Sequence, residues 1–67
     1  MRRLIVVDMT QKDLNEVKSK AGELVKKLKM EDTLILMSER DISYLFRGYK
    51  VEKAKEEGIW IISVRRN

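Results

Sequence analysis

Cysteine, histidine and proline are all absent from the 67 residues of this chain. With no thiol and no imidazole, disulfides, zinc–thiolate sites, thiol nucleophiles and imidazole acid–base work are excluded within it. Most common enzyme chemistries go with them. Long apolar runs are also lacking: Leu4 to Val7, Leu34 to Met37 and Ile59 to Ile62 are the longest, far short of the roughly 20 residues a membrane helix requires. No secretory leader is legible, so a soluble, cytoplasmic protein is the expectation.

What is present is charge. Lys and Arg number 15 against 11 acidic residues, for a net charge of +4, and charged residues make up 39% of the chain. With no proline and a single Gln, this balance is compatible with a thermophile. Arg2 and Arg3 open the chain and Arg65 and Arg66 close it. Basic residues bind nucleic acid when they gather on one face, and otherwise serve solubility. The length specifies one domain, residues 1–67, without repeats, linkers or low-complexity segments. A domain of about 60 residues buries only about 60% of the surface its unfolded chain exposes, so the core must be small.

The chain is organised around residues 4–30, an apolar strand leading through a polar turn into one amphipathic helix. Leu4 to Val7 is mostly β-branched and suits a strand with apolar contacts on both faces. Thr10 or Asp13 can cap the helix, and Asp13 with Glu16 has capping-box spacing. Leu14, Val17, Ala21, Leu24, Val25 and Leu28 then recur at intervals of three and four as one apolar stripe. Thr33 to Met37 reads as a second strand. Ser38 and Asp41 predict a reciprocally capped helix of about two turns, with Ile42, Leu45 and Phe46 on its apolar face and Gly48 as a left-handed stop. Tyr49 to Ala54, the turn Glu56-Glu57-Gly58 and Ile59 to Val64 read as a hairpin.

The expected fold is therefore an α+β two-layer sandwich, β-α-β-α-β-β. A right-handed crossover makes the first two strands parallel, the hairpin completes a four-stranded mixed sheet, and both helices cover one face. Leu4/Val6 against Ile5/Val7, and Ile59/Ile61 against Trp60/Ile62, place apolar side chains on both faces of the sheet. A large exposed apolar patch is unusual on a monomer, which points to self-association or a protein partner.

This order of elements, with Asp8, Leu24, Asp32-Thr33-Leu34, Gly48, Val51, Gly58 and the closing Ile62-Ser63-Val64-Arg65-Arg66, resembles the TusA/SirA-like sulfur-carrier proteins over nearly the whole chain. The family carries a Cys-Pro-x-Pro motif opening its first helix. Counted without gaps from Glu31-Asp32, that motif falls on Leu14-Asn15-Glu16-Val17, so Leu14 stands at the cysteine position and both prolines are missing. A cysteine at a helix N-terminus has a lowered pKa and can take a sulfane sulfur as a persulfide; leucine cannot. The resemblance thus implies a carrier fold without the carrier's thiol, and one fold hosts many functions.

No catalytic set replaces it. Asp8, Asp13 and Glu16 cluster near the helix start, where helix capping and the dipole account for them as well as acid–base or metal chemistry does. Ser38 at a helix start can meet a phosphate, but capping is the ordinary role. Tyr44, Tyr49 and Trp60 suit packing better than stacking on bases. No cofactor, metal or membrane role is expected. The primary expectation is a non-catalytic interaction module that docks on a protein partner or on its own copy, with Leu14, Val17, Ile5, Val7 and Trp60 as interface candidates. The alternative is a small basic RNA- or DNA-binding domain using Arg2, Arg3, Lys12, Lys18, Arg65 and Arg66.

Overall fold

The computed structural model describes residues 2–67. The elements in chain order are β1 (Arg3–Asp8), α1 (Leu14–Lys26), β2 (Asp32–Ser38), a 3-10 turn (Ser43–Phe46), β3 (Lys50–Glu56) and β4 (Ile59–Arg65). The four strands form one mixed sheet in the order β1-β2-β4-β3. β1 and β2 are parallel, with Ile5 beside Leu34 and Val7 beside Leu36. β4 runs antiparallel to both β2 and β3.

Local chemistry explains each element. At the start of α1 the Asp13 carboxylate accepts the Glu16 N–H at 2.9 Å, which satisfies one of the free donors of the first turn. Val17 and Ala21 are buried from the helix, and Leu28 just beyond it. The β3–β4 hairpin closes on Glu57 and Gly58, whose φ values of 50° and 81° are those of a two-residue type I′ turn, the connection whose twist matches that of the strands. Glycine adopts this conformation without strain; Glu57 does so at a cost.

The core lies between α1 and one face of the sheet. Leu34 and Leu36 of β2 and Ile62 and Val64 of β4 point into it, joined by Met9, Ile42 and Phe46. Alternation along β2 is strict: Asp32, Leu34, Leu36 and Ser38 are buried, whereas Thr33, Ile35 and Met37 face the other way. No helix or loop among the described residues covers that second face.

The expected second helix does not form. Ser38 ends β2 as a buried residue whose Oγ accepts the Arg40 N–H at 3.2 Å, so it caps no helix. Asp41 instead folds an Asx turn, accepting the Ser43 N–H at 3.0 Å and the Ser43 hydroxyl at 2.7 Å. Such side-chain bonds give the backbone an alternative to a helix. After this turn the chain makes only the single 3-10 turn Ser43–Phe46, which still delivers Ile42 and Phe46 to the core. Gly48 is left-handed, at φ 88°, as its place in the sequence predicts.

Because Phe46 is the largest side chain in this small core and is 1% exposed, Phe46→Ala is expected to lower the unfolding free energy by about 3–5 kcal/mol. Urea denaturation followed by circular dichroism will show either that loss or no cooperative transition at all. A loss under about 1 kcal/mol would contradict this packing.

Candidate functional site

The open face of the sheet is built from the residues that alternate with the core. β1 contributes Leu4 and Val6, β2 contributes Ile35 and Met37, and β4 contributes Ile59 and Ile61. Leu4 is 68% exposed and Val6 55%. The register aligns them: Val6 lies beside Ile35, and Met37 lies beside Ile61. β3 borders this apolar floor with Lys50, Glu52 and Glu56, opposite Arg65, Ser63 and Ile59. The result is an apolar surface with a charged margin on one side only.

The interface candidates from the sequence lie elsewhere. Ile5, Val7 and Trp60 pack against the core on the covered side, and Val17 is 4% exposed within it. Leu14, the first residue of α1, is half-buried beside a crevice of ≈ 50 Å³ that Met9, Val17 and Ile42 also line. Small-molecule pockets generally measure about 300–1,000 Å³, so this crevice fits little more than water. Strand alternation revealed that both faces were apolar but not which residue set the helix would cover.

Trp60 is closed in by lysines. The Nζ atoms of Lys53 and Lys55 lie 5.5 and 5.6 Å from its ring centroid, within cation–π range. Lys53 also donates to the Asp41 carboxylate at 2.6 Å and to the Ser43 hydroxyl at 3.1 Å. This ring is occupied by its own chain and lies off the open face.

Charge is divided between the two ends of the domain. The starts of β1 and β3 and the end of β4 lie together, so Arg2, Arg3, Lys50, Arg65 and Arg66 converge there. The end of α1 and the loops add Lys26, Lys27, Lys29 and Arg47, against Glu31, Asp32 and Glu52. At the opposite end Asp8, Asp13, Glu16, Glu39, Asp41, Glu56 and Glu57 outweigh Lys12, Arg40, Lys53 and Lys55. The basic termini anticipated as a nucleic-acid surface are thus brought together. Lys12 is not among them, and Lys18 sits midway along α1.

Several of these cations already have partners. Arg3 grips Asp32 with both arms of its guanidinium, Nε to Oδ1 at 3.0 Å and Nη2 to Oδ2 at 2.7 Å. Arg66 donates to the Leu28 carbonyl at 3.4 Å, and Arg65 lies 4.0 Å from Glu52. Sequence reasoning missed the Arg3–Asp32 pair because 29 residues separate its members. Lys27, Lys29, Arg47 and Lys50 were missed as members of the basic end for the same reason: only the topology assembles them.

The carboxylates at the helix start do not form a metal cage. Asp8 accepts the Thr10 hydroxyl at 2.7 Å and the Thr10 N–H at 2.9 Å, bonds that lower its pKa, while Asp13 caps α1. Among the described residues no group of three or more acidic side chains is close enough to hold a metal ion. No described helix is long and apolar enough to cross a membrane. Compared with known proteins, the chain matches no family model, no curated protein and no solved structure.

The Arg3 guanidinium, helped by the Lys29 N–H, holds the Asp32 carboxyl down to about 2. Lys53, followed by the hydroxyl and N–H of Ser43, does the same for Asp41. Unfolded carboxylates titrate near 3.9, so both contributions are complete above that value and are lost as pH falls through the folded pKa near 2. The urea midpoint should therefore be flat above about pH 5 and fall steadily below it. Asp32→Asn should lower the plateau and flatten the decline; an unchanged profile would show that this pair does not stabilise the fold.

Proposed function

We propose that this chain is a small non-catalytic interaction domain, TusA-like in fold but without the sulfur-carrying cysteine, that docks through the open face of its sheet on a protein partner or a second copy of itself. The observation that carries this reading is the uncovered apolar floor, with Leu4 and Val6 mostly exposed in a chain of only 67 residues. Apolar patches of this kind mark interaction sites on small soluble domains. The TusA likeness rests on the parallel β1–α1–β2 unit followed by the β3–β4 hairpin, with Leu14 opening α1 at the family's cysteine position.

A second reading has its own observation. The basic end, with Arg2, Arg47 and Lys50 exposed, suits the phosphates of RNA or DNA. Phosphate contacts position a protein without reading sequence. The open face carries no aromatic side chain for stacking, since Trp60 lies on the covered side.

One experiment separates the two readings. Tagged wild-type chain and Ile61→Lys, which places a charge in the middle of the open face, are used to capture partners from cell lysate, with and without nuclease and at low and high salt. Apolar docking predicts a defined set of proteins that survives nuclease and salt and is lost with Ile61→Lys. Phosphate binding predicts recovery that collapses with nuclease and falls steeply with salt, because bound counterions are released, with Ile61→Lys behaving as wild type.

A further inference from the structure

The two edges of the sheet are unlike. β3 is an edge strand studded with charge, Lys50, Glu52, Lys53, Lys55 and Glu56 in seven residues, the usual protection against pairing with another chain. β1 is the other edge, and between Arg3 and Asp8 it carries only Leu4, Ile5, Val6 and Val7. It has no lysine, no proline and no bulge to block it.

Backbone direction sharpens the contrast. The Met9 N–H donates to the Met37 carbonyl at 2.8 Å, and the pleat alternates. The backbone groups of Arg3, Ile5 and Val7 therefore point toward β2, while those of Leu4, Val6 and Asp8 point outward from the edge. These are the residues whose side chains lie on the open face, so the free hydrogen-bonding edge and the exposed apolar residues coincide.

We propose that β1 pairs with β1 of a second copy, antiparallel about a two-fold axis at Ile5, joining two sheets into one of eight strands. The register is set by the requirement that facing residues share a face. Leu4 then lies opposite Val6 of the second copy, Ile5 opposite its own equivalent, and Arg2, one residue before the strand, opposite Asp8. Every outward-pointing backbone group of Leu4 and Val6 gains a partner, and the two symmetry-related Arg2–Asp8 pairs on that face join opposite signs. Arg2 makes no ion pair among the described residues, so it is available for this contact.

The charge distribution names the occupant as a second copy rather than an arbitrary strand. Antiparallel pairing sets the basic end of each molecule beside the acidic end of the other, so two chains of net charge +4 meet where attraction is greatest. The joined sheet also carries a continuous apolar floor, with Leu4 and Val6 of both copies at its centre and the charged β3 strands at its outer margins. An apolar centre with a polar rim is the usual layout of a protein interface. The inference rests on the interaction-domain reading and specifies its first partner.

The test is sedimentation equilibrium over a concentration series, on the full chain and three kinds of variant. Wild type should show a monomer–dimer equilibrium. Val6→Pro removes an N–H that points to solvent, a position where an edge strand accepts proline; it should stay folded by circular dichroism and raise the dimer dissociation constant at least tenfold. Ile61→Lys, on β4 away from the edge, should leave dimerisation unchanged. Ile5→Cys should form a disulfide dimer under mild oxidation, because facing residues of a non-hydrogen-bonded antiparallel pair have Cα atoms about 4.5 Å apart, within disulfide reach. Leu4→Cys should not, its equivalent lying two residues out of register, and the wild-type chain has no cysteine to confuse the result.

A monomer at every concentration overturns the proposal. So does a dimer that survives Val6→Pro but is lost in Ile61→Lys, which would place the contact between open faces. Either result leaves the interaction-domain reading intact if Ile61-sensitive protein capture persists. An edge dimer with no Ile61-sensitive capture upholds the pairing and sinks docking through the face.

Discussion

One α-helix can cover at most one face of a sheet, and the described residues form one α-helix. At 13 residues, α1 is about 20 Å long and about 10 Å wide, whereas four strands spaced about 4.8 Å apart present a broader surface. The helix therefore covers part of one face. The segment between β2 and β3 covers more, by turning Ile42 and Phe46 inward. Among the described residues nothing remains for the opposite face. The exposed apolar residues of β1, β2 and β4 result from this shortage of covering elements, which makes the open face a property of the architecture as well as of the sequence.

The division of charge comes from connectivity. A crossover that makes β1 and β2 parallel brings their starts to the same end of the sheet, and α1 must end there because it returns the chain to begin β2. The antiparallel β4 finishes at that end and β3 starts there. Lysines and arginines scattered through the sequence at both termini, the helix end and the second loop thus meet. The Arg3–Asp32 pair sits among them as a structural pin: Asp32 is almost wholly buried and accepts the Lys29 N–H as well as both arms of the guanidinium. It couples the first residue of β1 to the first of β2, where the parallel pairing begins.

Much of this was legible in the residues. Apolar runs located β1, β2 and β4, an imperfect alternation ahead of a turn located β3, and the three-and-four spacing located α1, whose start falls at Asp13, one of the two residues able to cap it. Gly48 occupies the left-handed position its surroundings suggested, and Gly58 lies in the turn the residues marked. The second helix failed because Ser38 and Asp41 make local bonds that serve a turn as readily as a cap, and four residues between Asp41 and Phe46 do not favour a helix without such a start. The candidate site was half legible. Period-two alternation separates Leu4 and Val6 from Ile5 and Val7, yet it is symmetric, and only the side on which α1 packs decides which pair is exposed. Met9 and Asp32 in the interior were unreadable for a related reason: a methionine after a strand and an aspartate before one are ordinary loop residues until long-range pairing encloses them.

The parity of β1 ties the face to the edge. Odd-numbered residues of the strand turn both side chain and backbone inward, toward the core and toward β2; even-numbered residues turn side chains to the open face and backbone groups to the free edge. Had α1 packed on the other face, Ile5 and Val7 would be exposed while the outward-pointing backbone still belonged to Leu4 and Val6, and the apolar floor and the pairing edge would be carried by different residues. In the observed packing they are one continuous surface, in which strand pairing supplies direction and register and apolar contact supplies most of the driving force.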